Sequence, residues 1–342
     1  MSGEEFASLL KRVAGGGTLD TEQSARAFAA IMAGEVSEIR ITALATAMAV
    51  RKPTVDEIVG AVRAMRGAMK SIEANPYAID LCGTGGDGVG TLNISTANAF
   101  VVAACGVPVA KHGNRNMSSK SGTADCLEEL GVRIDLSPAG ASKCLREAGL
   151  CFLFAQAYHP ALKYAAPVRK ELGFRTIFNL LGPLSNPARV RRQLVGVYDK
   201  EWCLVLAEVL GRMGADRAWV VNGDGLDEIT VSGITHVAVL DGGKVMSREI
   251  SVDNAGVKSW PLEAIKGDDC KYNAAALRRL FDGETGAYRD VVLINAAAAL
   301  IVGGRVEDLR AGAKLAAEAI DSGAAKAKLE KLIAVSRAAA TA

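Results

Sequence analysis

Gly83-Thr84-Gly85-Gly86-Asp87-Gly88 closes the apolar run Ala78–Cys82 and is the first segment able to do chemistry. Glycines let backbone amides converge on an anion without Cβ obstruction. Asn93-Ile94-Ser95-Thr96 then reads as a helix start near Ile94, capped by Ser95 or Thr96, where dipole and hydroxyls favour negative charge. Gly83, Gly85 and Gly88 also satisfy the G-x-G-x-x-G spacing of a dinucleotide loop. Two features oppose that reading. The loop is too long and polar, and the second strand ends on Lys111 where an acid should meet a ribose 2′-hydroxyl. Asp87 would repel phosphate, so it makes sense against ribose hydroxyls or metal-bound water. Taken alone, the loop also admits the plainer reading of a tight turn that Asp87 stabilises.

A second polar loop, Lys111 to Gly122, follows the next apolar run. It carries three cations (Lys111, Arg115, Lys120), two side-chain amides (Asn114, Asn116) and three hydroxyls (Ser118, Ser119, Ser121). Such donors suit phosphate oxygens. A solvated loop is the plain alternative, but two phosphate-type loops one βα unit apart could grip both ends of a ligand with two phosphate groups. Asp227 and Glu228 are adjacent acids in a later glycine-containing loop, the kind of hard oxygen set Mg²⁺ prefers, or else a helix cap. Arg169, on the helix-like stretch Pro160 to Leu172, could bind a carboxylate through two parallel hydrogen bonds, or could be a solvated surface residue. His159 is the expected N-cap of that stretch, and Pro167 interrupts it.

These residues need a scaffold. The first seventy residues read as helices only. Thr54-Val55-Asp56-Glu57 is a capping box, Ile58, Val62, Met65 and Met69 form an apolar stripe, and Ile41, Leu44 and Met48 repeat it one helix earlier. This is a compact helical unit or a helical dimer face. From residue 78, strand patterns at Ala78–Cys82, Val107–Ala110, Leu150–Ala155, Leu194–Tyr198, Ala218–Val221 and His236–Leu240 alternate with helices closed by Gly131 and Gly149. That alternation predicts a mostly parallel sheet covered on both faces, with ligands beyond the carboxyl ends of its strands. From Tyr272 the chain returns to alanine-rich helices. His236, in a strand pattern, reads as structural, and Arg189-Val190-Arg191-Arg192 as a solvated loop.

Composition narrows the class. Lysine plus arginine (40) nearly balances aspartate plus glutamate (38), so a net charge of +2 gives no case for nucleic acid or membrane. The apolar run Val291 to Val302 is too short to span a bilayer, and Met1-Ser2-Gly3-Glu4-Glu5 has no signal-peptide character. Seven cysteines without a CxxC pair read as buried reduced thiols. A cytoplasmic protein is expected.

Taken together, Asp80 through Gly88, Asn93-Ile94-Ser95-Thr96 and the lysine-to-glycine loop resemble the anthranilate phosphoribosyltransferase family. The resemblance continues through His159-Pro160-Ala161, Pro167-Val168-Arg169, Arg175 to Leu184 and Asp224-Gly225-Leu226-Asp227-Glu228, covering essentially the whole chain. Gln156 departs from it, standing where the family has proline. The resemblance implies an α/β protein of the nucleoside phosphorylase/phosphoribosyltransferase-like fold. Residues 1–72 would be a small helical domain onto which 160–187 folds back. Residues 73–159 and 188–342 would be a large α/β domain with a mostly parallel sheet, and the chain a homodimer through its helical part.

By position, the resemblance implies that phosphoribosyl diphosphate is bound by Gly83, Gly86, Asp87, Thr91, Asn93, Ile94, Ser95, Thr96, Lys111, His112, Gly113, Asn114, Arg115, Asn116, Met117, Ser118, Ser119 and Thr123. Anthranilate would meet Gly83, Asn114, His159 and Arg169. Two Mg²⁺ ions would be held, one by Ser95 and Glu228, the other by Asp227 with Glu228. The implied reaction transfers the phosphoribosyl group to the anthranilate amine, giving N-(5-phosphoribosyl)anthranilate and diphosphate in tryptophan biosynthesis. No catalytic base is implied, because an aromatic amine beside a carboxylate is already unprotonated; His112 and His159 need not act. A pyrimidine-nucleoside phosphorylase of the same fold should need neither the Asp227-Glu228 pair nor this form of the Lys111–Ser119 loop. A non-catalytic nucleic-acid-binding relative should show a basic surface and degraded metal ligands.

Overall fold

The computed structural model describes residues 1–115 and 121–340. Four helices come first: α1 (Gly3–Ala14), α2 (Thr21–Met32), α3 (Glu38–Arg51) and α4 (Val55–Ala68). The capping box opening α4 is present, with Thr54 Oγ1 accepting the Glu57 amide at 3.3 Å and Glu57 Oε2 accepting the Thr54 amide at 2.8 Å. Glu57 does more than cap. Fully buried, its Oε1 also accepts from the Leu19 amide at 2.9 Å and from Arg51 at 2.5 Å, so one paired carboxylate joins α3 and α4 to the connection between α1 and α2.

Among the described residues seven strands follow: β1 (Ile79–Gly83), β2 (Val109–Gly113), β3 (Leu150–Phe154), β4 (Arg192–Gly196), β5 (Arg217–Asn222), β6 (Thr235–Asp241) and β7 (Lys244–Ile250). They form one sheet of order β3-β2-β1-β4-β5-β6-β7. The first five are parallel, with Ile79 beside Val109 and Leu81 beside Leu194, while β6 and β7 are antiparallel additions. The chain steps outward from β1 to β3, then returns to β4 on the other side of β1. The β1–β4 junction is therefore the topological switch point where such sheets bind ligands.

The sheet helices are α5 (Ile94–Ala104), α6 (Thr123–Leu130) and α7 (Pro138–Ala148). After β3 come α8 (Ala155–Tyr158), a 3-10 turn (Pro160–Tyr164), α9 (Ala166–Leu172) and α10 (Ile177–Leu181). Then follow α11 (Trp202–Arg212), α12 (Val252–Ala255), α13 (Cys270–Phe281), α14 (Ala287–Val302), α15 (Leu309–Asp321) and α16 (Ala324–Ala340). One core packs α5, α7 and α13 to α16 against a sheet face. The other joins Phe28, Met48 and Val62 of the first helices to Val168, Phe178 and Leu181, then continues through Leu206 of α11 to Val195 and Val220. The segment around α9 and α10 thus shares its core with the N-terminal helices, and that core reaches the sheet without a break.

Three local expectations need correction. β7 was not expected: most of it is exposed, so no apolar run marks it, and its Lys244, Arg248 and Glu249 suit an edge strand that must not pair further. The helix after the glycine loop takes Asn93, not Ser95 or Thr96, as its N-cap residue. The arginines from 189 to 192 are not a free loop, since Arg192 opens β4 and donates to the Gly303 carbonyl at 2.7 Å, while Arg191 pairs with Asp216 at 2.5 Å. All seven cysteines are free thiols, and His236 pairs with Glu249 across β6 and β7 at 3.1 Å. Among the described residues no helix is long and apolar enough to cross a membrane.

Candidate active site

A cleft of about 620 Å³ lies beyond the carboxyl ends of β1, β2 and β5. Its floor is the glycine loop after β1. Gly85 and Gly86 take φ values of +67° and +77°, which only glycine adopts without cost, and the loop is thereby folded back on itself. Thr84 fastens it to β4, donating its amide to the Gly196 carbonyl at 3.0 Å while its Oγ1 accepts the Tyr198 amide at 3.1 Å. Asp87 Oδ1 accepts the Val89 amide at 3.1 Å, so the acid does stabilise a turn. It also stands beside Asp227.

The acid pair rises from the loop after β5. Its backbone is pressed against β4 so closely that a Cβ on Gly196 would lie 1.5 Å from the Asp227 carbonyl oxygen. On the far side, Asn295 of α14 grips Ile229, accepting its amide at 2.9 Å and donating to its carbonyl at 2.8 Å. A polar residue in the long, largely apolar α14 is thus the anchor of the loop that carries Asp227 and Glu228. Asp227 Oδ2 accepts the Gly85 amide at 2.7 Å, and Glu228 Oε1 accepts the Ser95 amide at 3.1 Å.

Electrostatically the floor is short of positive charge. Burial and then the neighbouring Asp87 push Asp227 up to about 7. Burial and then Asp227 push Glu228 up to about 8, partly opposed by Lys111. Lys111 is 2 % exposed, and its ammonium donates to the Leu81 carbonyl at 2.5 Å and to Ser95 Oγ at 3.1 Å. Burial draws it below the ordinary lysine range, with Asp80 the largest opposing charge. Among the described residues no three His, Cys, Asp or Glu side chains could hold a metal ion by themselves. Two crowded carboxylates and a serine hydroxyl fit a hard cation that keeps waters and completes its shell with substrate phosphate, as Mg²⁺ does.

The opposite wall comes from α9 and α10. Arg169 faces the cleft half-buried, and among the described residues nothing pairs with its guanidinium. Burial draws it below the ordinary arginine range, the condition of a cation that lacks a counter-ion. Asn179, at the start of α10, lines the cleft beside it. Between them in sequence, Arg175 reaches the glycine loop itself. Its guanidinium donates to the Gly86 carbonyl and lies over the Tyr198 ring, 4.0 Å from the centroid. One side chain therefore ties the wall bearing Arg169 to the loop after β1.

Of the residues singled out from the sequence, Gly83, Gly86, Asp87, Thr91, Asn93, Ile94, Ser95, Lys111, His112, Gly113, Asn114, Arg115, Thr123, Arg169, Asp227 and Glu228 line this one cleft. Thr96 and His159 do not. Thr96 is buried on α5, where its hydroxyl meets that of Thr123 at 3.4 Å. His159 is packed behind His112 with ring centroids 5.0 Å apart. Burial lowers His112 to about 3 and His159 to about 4, so both rings are neutral. Arg115 lines the cleft, but its guanidinium turns away to Asp125 at 2.9 Å and Glu128 at 2.5 Å. Asn116, Met117, Ser118 and Ser119, with Lys120, lie outside the described residues. Gln156 is exposed on α8. Sequence reasoning missed Thr84, Arg175, Asn179 and Lys266. The Arg175 to Leu184 motif pointed toward two of them.

Residues 7–69 match the helical bundle domain of the glycosyl transferase family, and residues 75–326 match its a/b domain. The anthranilate phosphoribosyltransferase of Xanthobacter autotrophicus is 54% identical over 333 residues, 97% of each chain. Among solved structures, that of Thermus thermophilus anthranilate phosphoribosyltransferase superposes with a TM-score of 0.91 at 42% identity, covering 96% of this chain and 99% of that one. The Saccharomyces cerevisiae enzyme, solved in complex with PRPP and Mg, gives 0.90 at 25% identity over 98% and 99%.

Proposed function

The chain belongs to the anthranilate phosphoribosyltransferases and catalyses transfer of the phosphoribosyl group of phosphoribosyl diphosphate to the anthranilate amine; we propose that the cleft divides this work as follows. The reading is supported by one observation above all. Arg169, a cation without a partner among the described residues, faces across the cleft a floor of amides, hydroxyls and acids, which would give two different anions places at opposite ends.

The glycine loop, the start of α5 and Lys111 hold phosphoribosyl diphosphate through amides, the Ser95 hydroxyl and a fixed ammonium. Arg169 takes the anthranilate carboxylate, and Asn114 reaches the same ring. Asp227, Glu228 and Ser95 would hold Mg²⁺, as two ions, which when bound neutralises charge gathering on the diphosphate. The amine nitrogen bonds to C1 as the C1–oxygen bond to diphosphate breaks, and its surplus proton leaves to solvent. Neutral, buried His112 and His159 play no base role. Alignment of amine and C1 supplies much of the acceleration.

Residues 1–72 with 160–187 act as the helical domain, and 73–159 with 188–342 as the α/β domain, closing on each other through the Arg175 tie. The helical domain also pairs two copies of the chain, a role supported by Ile39 and Val50, 82% and 83% exposed on α3. The chain works in the cytoplasm, where its thiols stay reduced.

Incubation with phosphoribosyl diphosphate and Mg²⁺ should quench anthranilate fluorescence as the product forms. No quenching, with phosphorolysis of thymidine or uridine in its place, would reverse the assignment.

A further inference from the structure

Asn93 occupies the N-cap position of α5, where asparagine ordinarily turns its side-chain oxygen onto the free amides of its own helix. Here no such bond forms. The Ser95 amide goes to Glu228 instead. Asn93 Oδ1 is turned away and accepts from two donors, Asn273 Nδ2 at 3.0 Å and Ser121 Oγ at 3.3 Å. The Asn93 carbonyl is held as well, by the Tyr288 hydroxyl at 3.1 Å.

A carboxamide carries its acceptor and its donor on opposite arms. With two donors on the oxygen, the NH₂ arm of Asn93 is left for the cleft that Asn93 lines. That is the arm an anion needs. Asn273, on the first turn of α13 and 1% exposed, spends its own other arm on the same wall, its Oδ1 accepting the Asp268 amide at 3.0 Å. The segment so fixed is sewn to the glycine loop: Gly267 donates to the Gly90 carbonyl at 2.9 Å and Leu92 to the Ile265 carbonyl at 2.9 Å. Its Lys266 side chain lines the cleft.

We infer that Asn273 is a positioning residue for phosphate recognition: by occupying the oxygen of Asn93 it presents the Asn93 NH₂ as a donor to phosphoribosyl diphosphate. This rests on the proposed role of Asn93 in holding that substrate. A buried side chain from the C-terminal helices, bonded through both its arms, thereby sets the polarity of an amide 180 residues away in sequence.

Asn273→Asp tests it. The carboxylate keeps the acceptor for Asp268 but cannot donate, so it draws the Asn93 NH₂ inward and turns the Asn93 oxygen toward the ligand. Calorimetric titration of phosphoribosyl diphosphate with Mg²⁺ should show Kd raised about tenfold or more, with KM for anthranilate changed less than about twofold. In an Asn93→Ala background, where Kd is already raised, the same substitution should cost less than about a further twofold, because its effect runs through Asn93. Unchanged Kd in Asn273→Asp overturns the inference. So does an equal loss in the Asn93→Ala background, which would mean charge acting through space. Asn93→Ala with wild-type Kd overturns the reading beneath, and the inference with it. If Asn273→Asp does not fold, by circular dichroism, Asn273→Ala enters the same cycle with an expected loss of about threefold that must also vanish in the Asn93→Ala background.

Discussion

Asp227 Oδ2 accepts the Gly85 amide at 2.7 Å, so the acid of one loop sits within the glycine loop of another. A carboxylate there takes up one of the loop's amide donors. Its backbone is wedged against Gly196, which fixes the loop that carries it. With Asp87 and Glu228 beside it, the floor holds more negative charge than its surroundings satisfy. On the proposed reading that charge awaits a cation, and its cost falls on the ligand-free protein.

Asp227→Asn separates the two effects. The amide keeps the shape and an acceptor for Gly85 while removing the charge. At pH 8, above the value of about 7 to which Asp227 is raised, the ligand-free variant should melt a few degrees higher than the wild type, as expected when a poorly compensated charge is removed. Its kcat/KM should fall about 100-fold or more, and Mg²⁺ should no longer strengthen phosphoribosyl diphosphate binding. Scanning fluorimetry and calorimetry read both. A lower melting temperature with Mg²⁺ dependence intact would remove Asp227 from the ion-holding set.

Arg169 should act on one substrate only. Arg169→Ala should raise KM for anthranilate about 10- to 100-fold, the worth of a charge-assisted bidentate contact, and KM for phosphoribosyl diphosphate less than about threefold. Arg169→Lys should recover only part of the loss, since an ammonium cannot match both carboxylate oxygens. Steady-state kinetics with each substrate varied in turn decide it, and equal effects on the two KM values would take Arg169 away from the aromatic acid.

What the sequence made legible was local or lay at a strand end. The Thr54 box is a four-residue pattern, and the glycine loop, Lys111 and the acid pair each follow an apolar run, so the topology rule brings them together. What stayed hidden depends on contacts between distant segments. Asn295 interrupts the apolar run Val291 to Val302 with no local sign of its role, yet it holds the backbone beside Glu228. Arg115 reads as a phosphate ligand until Asp125 and Glu128 are seen to claim it. Asn273 has no local signature at all, since its partner is decided only when α13 packs beside the start of α5. β7 escaped because an exposed edge strand has no reason to be apolar.

The buried pair His112 and His159 carries a pH signature that can be isolated. Both are neutral when folded, lowered to about 3 and about 4 chiefly by burial, and His159 further disfavours charge on His112. An unfolded chain takes up protons on these rings near pH 6.5. Their contribution is therefore fully present above that pH and is lost as pH falls from it toward the folded values. Asp227 and Glu228, raised to about 7 and about 8, act in the opposite sense over part of the same window, because the folded protein retains their protons longer. The total slope of the wild type therefore hides both. A comparison with His159→Phe cancels the acids and everything else the two proteins share. In urea unfolding between pH 6 and pH 4.5, wild-type stability should fall relative to the variant by up to about 1.4 kcal/mol per pH unit, the value for one proton. The difference should be flat above pH 7. A difference that is flat throughout would mean that His159 is protonated in the folded state, and the neutral pair behind the cleft would have to be abandoned.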